Sequence, residues 1–122
     1  MSWTTHEQAP ALGTPLCPLA EVPDGEGRGF TFGVEPFPFR IFVVWRESEV
    51  WGYVNSCPHN RTPLNFHPDK FVTYDKTHIL CSVHFALFEY DDGFCIDGPC
   101  AGQSLESVPV ELREGMICIA EE

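Results

Sequence analysis

Short stretches in which apolar and polar residues alternate, separated by glycine and proline, run through most of this 122-residue chain. The longest apolar stretch, residues 39–45, reads Phe-Arg-Ile-Phe-Val-Val-Trp and predicts the strongest strand. A turn over residues 46–49 joins it to a strand over residues 50–55, so that the two form a hairpin. Further strands are predicted at residues 14–17, 29–32, 79–81, 86–90, 94–96, 108–112 and 116–120.

Composition supports an all-β domain. Eleven prolines and ten glycines argue against long helices, and 13% aromatic residues suit strands. The 43% hydrophobic fraction is enough for a core in a chain of one-domain length. Many short strands with glycine and proline turns predict a sandwich or barrel. We expect a flexible tail over residues 1–12 and a single domain over residues 13–122.

The charge limits the classes of partner. Eighteen acidic residues against seven basic ones give a formal net charge of −11, which disfavours nucleic acid and anionic membrane. It favours a positively charged protein partner. The alternative is that the charge only keeps the protein in solution. Without a recognisable signal peptide or membrane-spanning stretch, the expected location is the cytoplasm. There, six cysteines indicate metal ligands and buried thiols rather than disulfides.

Two short motifs carry the candidate chemistry. Cys57 and His59 form a Cys-x-His pair, and Cys81 and His84 form a Cys-x-x-His pair, with residues 60–80 between them. Zinc fingers usually place two Cys together and two His together, whereas each half here has one of each. With two irons to ligate, two Cys can hold one iron and two His the other, as in a Rieske-type [2Fe-2S] centre. The pattern favours this centre, and a zinc site is the alternative.

The same residues carry a family resemblance, which extends from about residue 16 to residue 119. The loop that begins at Cys57 resembles a known family's motif Cys-Pro-His-x-Gly-x-x-Leu. The loop that begins at Cys81 resembles the same family's second motif, Cys-Pro-x-His-Gly-x-x-Phe. Gly98-Pro99 followed by Leu105 resembles the Gly-Pro loop that covers the cluster. The chain is thus similar to Rieske ferredoxins and Rieske-domain proteins. The two loops read Cys57-Pro58-His59-Asn60-Arg61-Thr62-Pro63-Leu64 and Cys81-Ser82-Val83-His84-Phe85-Ala86-Leu87-Phe88.

The resemblance implies a fold and a ligand set. The fold is a Rieske-like antiparallel β-sandwich with a smaller cluster-binding subdomain of two loops at about residues 56–102. Arg61 and Phe85 stand where the family usually has glycine. The gap between the loops is long, so residues 66–77 form an excursion, with His67 and His78 exposed to solvent. The implied ligands of one [2Fe-2S] cluster are Cys57, His59, Cys81 and His84.

Residues around the ligands predict a low redox potential. High-potential members carry an extra cysteine in each loop, and this chain has Pro58, Ser82 and Val83 there. They also have Ser and Tyr two and four residues after the second His, where this chain has Ala86 and Phe88. Hydrogen bonds to cluster sulfur raise the potential, so their loss lowers it. The other thiols are interpreted as structural: Cys95 and Cys100, whose pairing is the alternative, and the strand-core residues Cys17 and Cys118.

The predicted function is that of an electron carrier and not of an enzyme. The chain has no glycine-rich dinucleotide loop and no further non-haem iron set. The resemblance implies transfer from a flavin-dependent ferredoxin reductase to a terminal oxygenase, ring-hydroxylating or similar, by a monomer or weak oligomer. The electron would leave the cluster through the imidazoles of His59 and His84. An apolar rim would surround them, formed by Pro63, Phe85, Pro99 and the Gly98 backbone.

Two other readings stay open. One is a cluster-bearing subunit of a larger oxidoreductase, such as a nitrite-reductase-type enzyme. The other is a structural zinc or interaction module.

Overall fold

The computed structural model describes residues 10–34, 38–47, 49–56, 63–65, 69–81 and 85–120. Over these ranges it is an all-β protein, as predicted, with one 3₁₀ turn at Leu19–Glu21. No helix in these ranges is long and apolar enough to span a membrane. The strands are β1 (Pro15–Pro18), β2 (Gly27–Phe32), β3 (Phe39–Arg46), β4 (Glu49–Val54), β5 (Ile79–Cys81), β6 (Ala86–Phe88), β7 (Cys95–Asp97), β8 (Ser107–Val108), β9 (Val110–Arg113) and β10 (Met116–Ile119).

Within the described ranges the strands form three antiparallel sheets. The central sheet has the order β2-β3-β4-β8, the terminal sheet the order β1-β10-β9, and the small sheet the order β5-β6-β7. β3 is buried on both faces. Phe42 and Val44 pack with small-sheet residues such as Phe88, and Ile41 packs with Ile119 of the terminal sheet. This double burial explains why β3 reads as a nearly continuous apolar run.

The predicted strand over residues 108–112 is in fact two strands. β8 pairs with β4 in the central sheet, whereas β9 pairs with β10 in the terminal sheet. Pro109 lies between them and has no N–H to donate to a ladder, while its carbonyl accepts a bond from the Ala120 N–H at 2.9 Å. The chain therefore changes sheet at this proline. The other predicted strands are present, with small shifts at their ends.

In the described part of the excursion, from residue 69 onward, Phe71 and Val72 pack against the core, whereas residues 74–77 are exposed. Phe71 is 1% exposed, and its ring stacks on Phe42 with centroids 4.5 Å apart. Val72 forms an antiparallel bridge to Ile79, and the Leu80 N–H donates to the Phe71 carbonyl at 2.9 Å. The segment thus lies alongside β5 of the small sheet, which it joins through this isolated bridge. The predicted tail over residues 1–12 falls mainly outside the described ranges.

Two buried tyrosines tie the sheets together. The Tyr53 hydroxyl, from β4, donates to the Tyr90 carbonyl at 2.5 Å, and the Tyr90 hydroxyl donates to the Gly25 carbonyl at 2.5 Å. Both side chains are 1% exposed. Burial raises the pKa of Tyr90 to about 12, even though the Arg46 guanidinium over its ring acts in the opposite direction. Burial likewise raises the pKa of Tyr53.

These tyrosines predict a loss of stability in alkaline solution. Below the ordinary tyrosine pKa of about 10 they are neutral in both states, and their contribution is complete. As pH rises from about 10 toward 12, tyrosines of the unfolded chain ionise first, so the free energy of unfolding falls. Urea denaturation followed by circular dichroism at several pH values measures this slope. The variant Tyr90→Phe should show a smaller slope, and an unchanged slope would contradict the assignment to Tyr90.

Candidate metal centre

The first predicted ligand loop begins where β4 ends, and the Asn55 side chain holds its two ends together. Asn55 is 9% exposed and is the buried polar residue of the described ranges. Its Oδ1 accepts a bond from the Leu64 N–H at 2.8 Å, and its Nδ2 donates to Asn65 Oδ1 at 3.1 Å. Its own N–H donates to the Arg40 carbonyl at 2.9 Å. One side chain therefore holds both ends of the loop next to the end of β4.

The second predicted ligand loop joins β5 to β6. Cys81, the last residue of β5, pairs with Ala86, the first residue of β6. The Phe85 N–H donates to the Cys81 carbonyl at 2.8 Å, which closes the turn. Phe85 has a φ of +60°, a left-handed conformation that costs a non-glycine residue about 1–2 kcal/mol. The backbone thus keeps a conformation that suits glycine, although the residue is phenylalanine.

The ends of the two loops lie in one buried cluster of side chains. Leu64 is the last residue of the first loop, and Cys81 and Ala86 belong to the second. All three are 0% exposed and belong to the same cluster as Phe42 of β3. The two loops are therefore anchored in the same part of the core.

The Gly-Pro segment contacts the strand that follows the second loop. A Cβ on Gly98 would lie 2.7 Å from the Ala86 Cα, and Gly98 has a φ of +105°. The Gly98 N–H donates to Asp97 Oδ1 at 2.9 Å, and its carbonyl accepts from the Ala101 N–H at 3.2 Å. Both the close approach and the positive φ require glycine. The segment therefore lies against β6 beside the second loop.

Of the four predicted ligands, the structure describes Cys81, which is 0% exposed at the end of β5. Cys57, His59 and His84 lie outside the described residues, as does Arg61. The described residues alone contain no group of three side chains that could hold a metal ion. The four-residue ligand set remains a prediction.

The donor types fit an iron–sulfur cluster. Thiolate and imidazole are the donors of Rieske [2Fe-2S] centres, and the Cys81 thiol lies in an apolar cluster that limits access of water. When bound, such a cluster exchanges one electron.

The thiols outside the predicted ligand set are buried, as expected. Cys17 and Cys118 are each 5% exposed in the terminal sheet, and burial raises the pKa of the Cys17 thiol. Cys95 and Cys100 are 1% and 0% exposed and are not joined by a disulfide.

His78, which was predicted to be exposed, is partly exposed to solvent. Its side chain is 29% exposed, with Nε2 4.0 Å from a Glu89 carboxylate oxygen and Nδ1 3.0 Å from the Thr77 hydroxyl. It precedes β5, whereas Cys81 ends that strand, so about 10 Å of extended chain separates the two residues. His67 lies outside the described residues.

The role of Asn55 was not predicted from the sequence. Its position between a strongly apolar hairpin and Cys57 was the available signal, because a polar side chain there can bond the backbone of the following loop. Its partners at residues 64 and 65 could not be read from the sequence.

Replacing Asn55 by alanine should lower the free energy of unfolding by about 1–3 kcal/mol, because the buried Leu64 N–H loses its acceptor. Urea denaturation measures the change. Asn55→Asp keeps an acceptor for that N–H, but it buries a charge and places an acceptor opposite Asn65 Oδ1, so it should also lower the free energy of unfolding. Equal stability of Asn55→Ala and the unchanged protein would contradict the role of this side chain.

Comparisons with known proteins agree with the fold. No curated protein sequence matches the chain significantly. The ferredoxin of carbazole 1,9a-dioxygenase from Nocardioides aromaticivorans IC177 superposes with a TM-score of 0.70 at 16% identity, covering 92% of this chain and 100% of that one. A ferredoxin from Sphingomonas yanoikuyae B1 gives 0.65 at 26% identity, covering 90% and 99%. A structure described as the complex of reduced oxygenase and oxidised ferredoxin in carbazole 1,9a-dioxygenase gives 0.71 at 21% identity, covering 93% and 96%.

The model of the Rieske [2Fe-2S] domain matches residues 13–111, which is most of the chain. This match includes both predicted ligand loops and the Gly-Pro segment. Members of this family bind a [2Fe-2S] cluster, and the predicted ligands are of the types that such a cluster takes. The chain therefore belongs to the Rieske [2Fe-2S] domain family.

Proposed function

We propose that this protein is a one-electron carrier that passes electrons from a flavin-dependent reductase to a terminal oxygenase. Cys57 and Cys81 would hold one iron of the cluster, and His59 and His84 the other. Residues 13–122 would form one domain, with the cluster-binding part at about residues 56–102. The carrier would act in the cytoplasm as a monomer or weak oligomer.

An exposed apolar rim at the predicted ligand loops carries this proposal. Phe85, which directly follows His84 in the second loop, is 72% exposed. Pro63 near the end of the first loop and Pro99 beside Gly98 are also exposed. Contiguous exposed apolar patches mark interaction sites, and we infer that these three side chains form one around the predicted cluster. A small apolar rim suits the weak and brief contacts of electron transfer.

The likeness to ferredoxins supports the same role. Each of the two single ferredoxins compared is covered almost completely by this chain. One of them belongs to a dioxygenase system, and a third structure is described as a complex of ferredoxin with oxygenase. We therefore infer that the rim faces an oxygenase or a reductase in turn.

Charge would assist the encounter. The protein has a formal net charge of −11, and the exposed Asp97 lies next to the Gly-Pro segment. These acidic residues would attract a partner surface that carries basic residues. The range of this attraction is the Debye length, which is about 10 Å at 0.1 M ionic strength and becomes shorter as salt is added. We expect electron transfer to slow as ionic strength rises.

Electron flow from NADH through a candidate reductase and this protein to a candidate oxygenase tests the proposal. Product should form only when all three proteins are present. Phe85→Ala should slow transfer because it removes the ring from the rim. Phe85→Gly should slow it equally, although it also relieves the left-handed backbone. Tyr74→Ala is the matched control, because Tyr74 is fully exposed on the turn before β5. Equal rates for the Phe85 and Tyr74 variants would contradict the rim.

A low midpoint potential is expected. Ala86 and Phe88 are both 0% exposed and carry no hydroxyl to donate to cluster sulfur. The potential should lie toward the low end of the Rieske range of about −150 to +300 mV, and Ala86→Ser should raise it. Redox titration of the bound cluster measures both values. A midpoint above roughly +100 mV would contradict the expectation.

Two alternatives have distinct signatures. A fixed subunit of a larger oxidoreductase would co-purify with its partners in constant ratio, whereas a carrier would be isolated alone. A structural zinc module would contain stoichiometric zinc and no acid-labile sulfide. Metal and sulfide analysis, with the electron paramagnetic resonance spectrum of the reduced protein, separates zinc from iron.

A further inference from the structure

Two cysteines outside the predicted ligand set have their sulfur atoms in contact. Cys95 in β7 and Cys100 in the following turn are 1% and 0% exposed, and their Sγ atoms are 3.3 Å apart. The Cys95 thiol also lies 3.2 Å from the Asp97 carbonyl. A disulfide has an S–S length of about 2.05 Å, so the sulfur atoms need to approach by only about 1.2 Å.

The backbone around the pair forms a closed frame. The Cys95 N–H donates to the Gln103 carbonyl at 2.7 Å, and the Gly102 N–H donates to the Cys95 carbonyl at 3.1 Å. The Gln103 N–H donates to the Cys100 carbonyl at 2.9 Å. These bonds hold β7 and the returning chain side by side. The frame therefore keeps the two thiols facing each other.

This frame contains the Gly-Pro segment. Gly98 and Pro99 lie between the two cysteines in sequence, and Gly98 is the residue that contacts Ala86 of β6. Ala86 and both cysteines belong to one buried cluster. A bond between the sulfur atoms would close a six-residue ring, residues 95–100, around the segment that lies beside the second predicted ligand loop.

We propose that Cys95 and Cys100 form a reversible disulfide that fixes the Gly-Pro segment against β6. The two thiols lose two protons and two electrons as the sulfur–sulfur bond forms. A low-molecular-weight disulfide such as oxidised glutathione accepts the electrons and is released as two thiols. The exchange passes through a mixed disulfide on one of the two cysteines, which the other then displaces. Residues 98, 99, 101 and 102 are exposed, so movement of this turn would admit the oxidant.

Thiol mapping on the cluster-loaded protein tests the proposal independently of electron transfer. The protein is incubated with oxidised or reduced glutathione, denatured, alkylated and cleaved after glutamate. Cleavage after Glu89 and Glu106 releases residues 90–106, which contain Cys95 and Cys100 and no other cysteine. After oxidation this peptide should carry no alkyl group and be lighter than the unmodified dithiol by two hydrogen atoms. Dithiothreitol should restore two alkylation sites.

Two variants complete the test. In Cys100→Ser the peptide should carry either an alkyl group or glutathione on Cys95, because no second thiol can displace the mixed disulfide. Cys118→Ser is the matched control, since it removes a buried thiol from the terminal sheet. In this variant the peptide of residues 90–106 should still contain the disulfide between Cys95 and Cys100. Full alkylation of both cysteines after oxidation of the unchanged protein would overturn the proposal. Stable glutathione on either cysteine of that protein would overturn it as well.

Discussion

Replacing Gly98 by alanine is expected to destabilise the protein by roughly 2–5 kcal/mol. The added Cβ would lie 2.7 Å from the Ala86 Cα and 3.0 Å from the Ala86 Cβ, and the contacted strand cannot move aside without disturbing its pairing with β5. The residue also has a φ of +105°, which disfavours any side chain. Urea denaturation of the loaded protein measures the loss. The displaced segment should also shorten the lifetime of the visible absorbance of the cluster.

Gly102→Ala is the matched control for this substitution. Gly102 has a similar φ of +93°, but a Cβ there would meet no atom within 4 Å. Gly102→Ala should therefore lower the free energy of unfolding only by the cost of the strained backbone, about 1–3 kcal/mol. The difference between the two variants isolates the contact between Gly98 and Ala86. If both variants lose the same stability, that contact does not hold the Gly-Pro segment in place.

Replacing Cys81 by alanine should abolish cluster binding. The proposed centre has two thiolate ligands for one iron, and Cys81 is one of them, fully buried at the end of β5. Alanine leaves the strand and its pairing with Ala86 possible and removes only the sulfur. Iron and acid-labile sulfide should fall from two of each per chain to near zero. Circular dichroism should show that the strand content is retained.

Cys118→Ala is the matched control for the ligand variant. Cys118 is 5% exposed in β10 and lies in the terminal sheet, apart from the predicted loops. Its replacement removes an equally buried thiol and should leave iron and sulfide unchanged. Full iron and sulfide in Cys81→Ala would contradict the ligand set. One zinc per chain in the unchanged protein would contradict the iron–sulfur interpretation and would support a structural zinc module.

Much of the candidate site was accessible from local sequence alone. The spacing of Cys57 and His59, and of Cys81 and His84, predicted two ligand loops, because each Cys and His pair is close enough in sequence to lie on one loop. The structure then added what depends on contacts between distant segments. Asn55 bonds the backbone nine residues away, and Gly98 packs against Ala86 of another strand. Neither contact has a signal in residue spacing.

The sequence by itself determined the β-strands, the turns between them and the pattern of candidate ligands, because alternation, turn residues and ligand spacing act over a few residues. Only the tertiary structure decided which sheet each strand joins. Pro109 separates two strands that read as one, since each side finds a different partner strand. Tertiary packing also buries Phe71 and brings the Cys95 and Cys100 sulfur atoms to 3.3 Å. Such contacts depend on how the whole chain packs, and no short stretch of sequence encodes them.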